Sequence, residues 1–204
     1  MGAGDLALKG NYLLGPEDAL RRQEAALQGC TRCKLCQSRH TIVFGSGNPR
    51  AELIVIGEGP GADEDAQGKP FVGRAGQLLT KMLESVQLSR DEVFVTNAVK
   101  CLPPGNRNPE ADELTACRPF LDAQLGVIQP KVVLALGSVA TQALLLTREA
   151  IGKLRGRMHP FGAAVLIPTF HPAFLLRNPG PEYRRMAWDD LKLAKREYEN
   201  RRTR

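Results

Sequence analysis

Five cysteines are the first residues to weigh for chemistry: Cys30, Cys33, Cys36, Cys101 and Cys117. In a chain with no export signal, thiols suit a metal, catalysis or a plain core better than disulfides. Cys30-x2-Cys33 stands in a loop-like stretch. Cys101 follows an apolar run, and Cys117 falls in a helical pattern. A zinc ribbon pairs two short C-x2-C knuckles. Here the second pair is spread wide, and four thiolates of different origin suit an iron–sulfur cluster at least as well. From spacing alone a cluster, zinc and no metal all stay open. Cys36 extends the first run to C-x2-C-x2-C, but no fourth cysteine follows within a few residues, so it reads as a spare thiol.

A second candidate is the stretch Gly57-Glu58-Gly59-Pro60-Gly61, with Asp63, Glu64 and Asp65 behind it. It does not match the dinucleotide fingerprint G-x-G-x-x-G, and its carboxylates would repel a pyrophosphate. Glycines followed by acids suit close backbone approach to a neutral base, with an acid at hand for water. A solvated acidic turn is the plainer reading.

The elements that hold these residues follow from apolar periodicity. Leu53–Ile56, Val93–Val99, Val132–Leu136 and Ala163–Ile167 are short apolar runs rich in β-branched residues. Such runs fit strands buried on both faces. Helical patterns cover Pro16–Gln28, Ala75–Val86, Pro109–Leu125, Ser138–Leu146 and Pro181–Arg202, the last with Trp188, Leu191 and Tyr198 along one side. Strands alternating with helices predict a three-layer α/β/α domain with a central four-stranded, largely parallel sheet. Ligands bind such sheets beyond the carboxyl ends of the strands. Those ends are followed here by GEGPGADEDAQGKPFVG, TNAVKCLPPGNRNP, GSVATQ and PTFHPAFLLRNPG.

At 204 residues, 43% apolar and 25% charged, the chain reads as one ordinary globular domain. Collagen, coiled coil and long disorder are excluded by composition. No run approaches the ~18 apolar residues of a membrane span. The opening residues lack a basic stretch followed by an apolar core, so a cytoplasmic protein is expected. Residues 148–204 hold 13 basic and 6 acidic residues, which carries all of the net +6. A basic face suits a polyanion such as nucleic acid, or is simply solvated.

Two segments carry a family resemblance. Gly57-Glu58-Gly59-Pro60-Gly61, Glu64-Asp65 and Gly68-Lys69-Pro70-Phe71-Val72-Gly73 are similar to the first motif of the uracil-DNA glycosylase superfamily. Phe170-His171-Pro172-Ala173-Phe174-Leu175-Leu176-Arg177-Asn178-Pro179 resembles its second. With the cysteine pairs, the chain resembles the family-4, iron–sulfur type over roughly residues 24–196. Residues 1–23 then read as an N-terminal extension and 24–204 as a single uracil-DNA glycosylase-like domain.

The resemblance implies base flipping and hydrolysis of the N-glycosidic bond of deoxyuridine in DNA. It implies that His171 stabilises charge on uracil O2 and that Asn97 reads N3–H and O4. Phe71 would stack on the base, and Glu58 and Gly59 would line the pocket. Glu58 would stand near the attacking water. Glu64 or its neighbour would crowd uracil C5, and Asn106 would lie near sugar or water. Leu175 is implied as the wedge that fills the vacated stack, and Arg177, Arg155 and Arg157 as phosphate contacts. A [4Fe-4S] cluster on Cys30, Cys33, Cys101 and Cys117 is implied, as a structural tie.

A related branch traps uracil covalently through a histidine near the loop after Cys101. Residues 102–109 here contain none, which implies turnover. Single- or double-stranded uracil-containing DNA is the expected partner, for a monomer associated with the nucleoid. The competing readings are a non-catalytic iron–sulfur DNA-binding module and a glycosylase of broader deaminated-base specificity.

Overall fold

The structure is a computed structural model that describes residues 15–202. Its six strands are β1 (Ser46–Gly47), β2 (Leu53–Gly57), β3 (Phe94–Asn97), β4 (Val132–Leu136), β5 (His159–Phe161) and β6 (Ala164–Thr169). Its helices are α1 (Pro16–Leu27), α2 (Ala62–Gln67), α3 (Arg74–Glu84), α4 (Ala111–Ile128), α5 (Gly137–Leu145), α6 (Ile151–Leu154), α7 (Pro172–Arg177) and α8 (Pro181–Arg202). Two single 3₁₀ turns, Lys34–Gln37 and Pro104–Asn106, complete the order.

The sheet runs β1-β3-β2-β4-β6-β5. The four apolar runs form its parallel centre, as expected: β3, β2, β4 and β6 pair in parallel. Every residue of β2, β3 and β4 is buried. Burial on both faces is why these runs are continuously apolar rather than alternating. Each fully buried Leu, Ile or Val contributes about 1.5–3 kcal/mol. The two antiparallel edge strands are additions to the expected four. They are two and three residues long, and short edges limit pairing with other chains.

Two apolar clusters separate the layers. One packs α3 and α8 on one sheet face through Leu79, Leu83, Ala187, Leu191 and Tyr198. The other packs α1 and α4 through Leu20, Leu27, Cys117 and Leu121. Helix α1 runs across residues 23 and 24, and Gln23 Nε2 donates to Ala123 O of α4 at 3.0 Å. The described part of the expected extension thus lies against the domain, while residues 1–14 lie outside the described residues. No helix among the described residues is long and apolar enough to cross a membrane.

Two expectations are corrected by the packing of α8. Trp188 does not share the buried side with Leu191 and Tyr198; it is 46% exposed. Arg155 is not free to touch a phosphate. Its guanidinium makes a two-pronged pair with the fully buried Asp190, at 2.7 and 2.9 Å, and donates to Met186 O at 2.6 Å. Burial raises the Asp190 carboxyl, and Arg155 offsets that. The pair binds the loop before β5 to α8. Arg155→Ala strands a buried carboxylate, so unfolding in urea is expected to show a loss of about 3 kcal/mol. Replacing both partners together (Arg155→Met with Asp190→Leu) recovers most of it.

Candidate active site

A cleft of about 350 Å³ opens at the carboxyl ends of the central strands. Chain order makes this the place: β3 lies on one side of β2 and β4 on the other, the switch point where parallel sheets bind ligands. Glu58 and Gly59 leave β2, Asn97 ends β3, and His171 follows β6 by two residues. All of them line the cleft, with Glu64, Phe71, Asn106, Ala173 and Arg177.

The parallel pairing continues past the strand ends and fixes the first two loops together. Ala98 N–H donates to Gly57 O at 2.9 Å, and Val99 N–H to Glu58 O at 3.1 Å. Gly57 lies opposite Asn97 in register. A Cβ on Gly57 would stand 2.4 Å from Asn97 Oδ1 and 2.6 Å from Phe71 Cζ, so only glycine lets these groups meet. Phe71 itself takes a left-handed conformation, φ 55°, which costs a bulky side chain of order 1 kcal/mol or more. Glu64 holds it there: one carboxylate oxygen accepts from Val72 and Gly73 N–H (2.8 and 2.9 Å), the other from Gly61 N–H at 3.1 Å. Glu64 is thus a positioning residue. Its oxygens are taken by backbone.

Asn97 is 1% exposed, and its Oδ1 has no hydrogen-bond partner among the described residues. An unpaired buried carbonyl costs ~1–3 kcal/mol. Behind it, Lys100 Nζ donates to Asn97 O (2.8 Å), Thr96 Oγ1 (2.6 Å) and Gln124 Oε1 (2.6 Å). Full burial pushes that ammonium down to about 7. The sequence offers one signal for Lys100, its place between Asn97 and Cys101.

The His171 ring faces Phe71 with centroids 5.8 Å apart. Its Nδ1 accepts from Ala173 N–H at 3.1 Å. Burial, with the Arg177 charge adding, pushes its pKa down to about 4. The imidazole is therefore neutral at pH 7, and its proton sits on Nε2. Gly137, at φ 84°, passes so close that a Cβ there would stand 2.9 Å from His171 Cβ. Burial raises the Glu58 carboxyl, and Arg177 opposes that.

Not every expected residue converges. Leu175 is buried in the core at 3% exposure; the apolar residue that α7 exposes is Leu176 at 38%. The register of α7 turns Leu175 inward, so it is not placed as a wedge in this conformation. Arg157 is exposed and donates to Lys153 O, outside the cleft. Arg107, not singled out in the sequence, lines the cleft and pairs with the buried Glu113 at 2.7 and 2.8 Å.

The thiols gather beside the same loops. Among the described residues no three His, Cys, Asp or Glu side chains are arranged around one point as a single ion requires. Yet the thiols lie near one another: Cys117 and Cys33 raise the Cys101 pKa, Cys33 and Cys30 raise that of Cys117, and Cys30 and Cys36 raise that of Cys33. Burial is the largest cause, and it takes Cys101 up to about 11. Donors surround the sulfurs: Arg39 Nη1 lies 3.5 Å from Cys101 Sγ, and the N–H groups of Leu35 and Lys100 serve Cys33 and Cys117. Four thiols set together with donors aimed at sulfur form a donor set suited to a group that draws out thiolates.

Comparison with known proteins agrees with this geometry. The sequence profile of the uracil DNA glycosylase superfamily matches residues 44–192. The type-4 uracil-DNA glycosylase of Saccharolobus solfataricus is 47% identical over 159 residues, covering 74% of each chain. That of Sulfurisphaera tokodaii is 42% identical over 86% of this chain and 83% of its own. That of Thermotoga maritima is 41% identical over 88% of this chain and 94% of its own. The switch-point cleft, the two motifs that line it and these likenesses place the chain in the uracil DNA glycosylase superfamily, with its type-4 members.

Proposed function

We propose that the chain hydrolyses the N-glycosidic bond of deoxyuridine in DNA, releasing uracil and leaving an abasic site. The buried Asn97 carbonyl carries the reading: it lacks a partner among the described residues and stands in a cleft bounded by Phe71 and His171. A pyrimidine with a donor at N3 supplies that partner. Cytosine offers an acceptor at N3 and a donor at C4, the reverse pattern, so Asn97 rejects it.

The base leaves the stack, enters the cleft and lies on Phe71. As the bond from C1′ to N1 breaks, its electron pair passes to uracil and charge grows on O2. His171 Nε2–H donates to that oxygen; one such donor is commonly worth ~3 kcal/mol. The neutral ring donates without giving up its proton. Glu58 orients water toward C1′ and takes its proton. Gly59 and Glu64 wall the base, and a thymine methyl needs a clash with such a wall, since packing alone discriminates by only ~1–3 kcal/mol. Asn106 faces the space for sugar or water, and Arg177 a phosphate. Loop 102–109 offers no histidine to capture the sugar, so the enzyme turns over. One chain completes the cleft, which supports a monomer acting wherever DNA is, in the nucleoid of the cytoplasm.

Cys30, Cys33, Cys101 and Cys117 would hold a [4Fe-4S] cluster, which supplies a covalent tie between the loop after α1, the loop after β3 and α4. Through Lys100, which follows Val99 and precedes Cys101, that tie fixes Asn97. Protein prepared without oxygen is expected to be brown, with about four irons per chain. Cys101→Ala is expected to lose the colour and unfold earlier; a colourless wild type with full activity would contradict the cluster.

Uracil release from a labelled oligonucleotide tests the function. His171→Ala is expected to slow it about 10²–10³-fold at pH 7; an unchanged rate overturns the role of His171. Both working forms, the Glu58 carboxylate and the neutral His171, are lost as pH falls. Glu58 titrates first, above the usual carboxylate value, and His171 only near 4. The first part of the acid limb is therefore expected to vanish in Glu58→Gln, leaving only the loss near 4. A limb at the ordinary imidazole value of 6.5 would contradict the buried neutral ring.

A further inference from the structure

Helix α8 carries an exposed stripe that the base cleft does not use. Arg184, Trp188, Lys192 and Arg196 recur every fourth residue, so they share one face, and all four are exposed. Arg185 flanks them, also exposed. The stripe is about 18 Å long at 1.5 Å per residue. Arg184 and Arg185 form no ion pair among the described residues. Of the other cations of the stripe, Lys192 pairs with Asp189 at 2.8 Å and Arg196 with Glu197 at 3.8 Å. The face therefore presents two guanidinium groups without an ion pair among the described residues, Arg184 and Arg185, one turn before an aromatic ring.

Trp188 is the large aromatic ring of this face. It is 46% exposed, and Lys192 Nζ stands 3.9 Å from its ring centroid. An indole beside guanidinium and ammonium groups matches unpaired nucleic acid: the ring stacks a base, and the cations meet phosphates. A duplex keeps its bases stacked on each other and offers such a ring nothing. Arg184 and Arg185 beside the ring favour a polyanion over a neutral protein surface.

The helix that bears the stripe begins close to the cleft along the chain. Arg177 lines the cleft at the end of α7, and α8 begins four residues later. Tyr183, in the first turn of α8, packs edge-on against Phe170 and Phe174 at 5.5 and 5.1 Å. Those two residues flank His171 in sequence. The helix is thus braced on the segment that bears the cleft histidine, and it leads away from it. At ~3.4 Å per stacked nucleotide, 18 Å accommodates about five nucleotides.

We propose that the Arg184–Trp188–Lys192–Arg196 face of α8 binds the single-stranded DNA flanking the extracted nucleotide, with Trp188 stacking on one of its bases. This rests on the DNA reading above and adds a strand path and a preference for unpaired flanks. Arg184, Arg185 and Trp188 become substrate-binding residues.

Trp188 is the only tryptophan in the chain, so its fluorescence reports the contact directly. The whole protein is titrated with single-stranded oligothymidylate of about twelve nucleotides and, separately, with a trinucleotide. Quenching by the long strand alone is expected, weakening as salt rises. Unchanged fluorescence at saturating long strand overturns the proposal. In a second arm, uracil release is compared on a single-stranded twelve-nucleotide substrate, the same sequence as duplex, and a uracil trinucleotide. Trp188→Ala, and separately Arg184→Ala with Arg185→Ala, are expected to raise KM about tenfold on the long single strand. They leave kcat and KM on the trinucleotide unchanged. Equal effects on all three substrates would mean a structural role and overturn the proposal. Failure of wild type to release uracil from any substrate would instead overturn the function, and the quenching result would still decide whether α8 binds DNA.

Discussion

No side chain can stand at residue 57. Gly57 and Asn97 lie opposite each other on adjacent parallel strands, and Phe71 closes from a third direction. The space a Cβ would fill is taken by the Asn97 carbonyl and the Phe71 ring. That three-way contact sets a buried acceptor, an aromatic face and, across from it, an imidazole at one point of the sheet. It also carries three costs: a left-handed phenylalanine, a carbonyl without a partner among the described residues and a histidine whose charged form burial disfavours. Strain and unpaired polar atoms persist where the surrounding structure over-determines them, and they cluster at functional sites.

What over-determines this one is a set of polar groups that do no chemistry. Glu64 clamps three backbone N–H groups and fixes the turn that carries Phe71. Lys100 joins Asn97, Thr96 and Gln124 under the sheet edge, next to the thiols. Thr96 Oγ1 and Gln124 Nε2 both donate to Phe44 O, which ties in the strand that leads to β1. A fully satisfied buried network of this kind is stiff, and losing one member leaves the others unpaired. Sequence neighbours thus serve two ends at once: Asn97 faces the cleft, while Lys100 and Cys101 face the thiols.

Much of this was legible beforehand, for local reasons. The four central strands announce themselves because burial on both faces demands unbroken apolar runs. Helix α8 begins at Pro181, as expected, because proline suits a first turn. The segments that carry Glu58, Gly59, Asn97 and His171 could be found because parallel sheets put ligands at carboxyl ends; the family resemblance then singled out those residues. The misses are non-local. Arg155 reads as one cation in a basic stretch until Asp190, far along the chain, is brought to it. Leu175 and Leu176 are equivalent in sequence, and only the packing of a six-residue helix decides which one is buried. The edge strands β1 and β5 contain glycine or proline and show no alternation, so nothing in their sequence marks them. Trp188 looks like core by type and lies on the open flank by angle.

The central claim is that the unpaired Asn97 carbonyl and the neutral His171 together define a uracil site. A crystal structure of the protein with free uracil tests it most directly. The account predicts the base lying on Phe71, its N3 within hydrogen-bond distance of Asn97 Oδ1 and its O2 within reach of His171 Nε2. A uracil bound with N3 turned away from Asn97, or a cleft that stays empty at saturating uracil while Asn97 Oδ1 finds a partner within the protein, would contradict it.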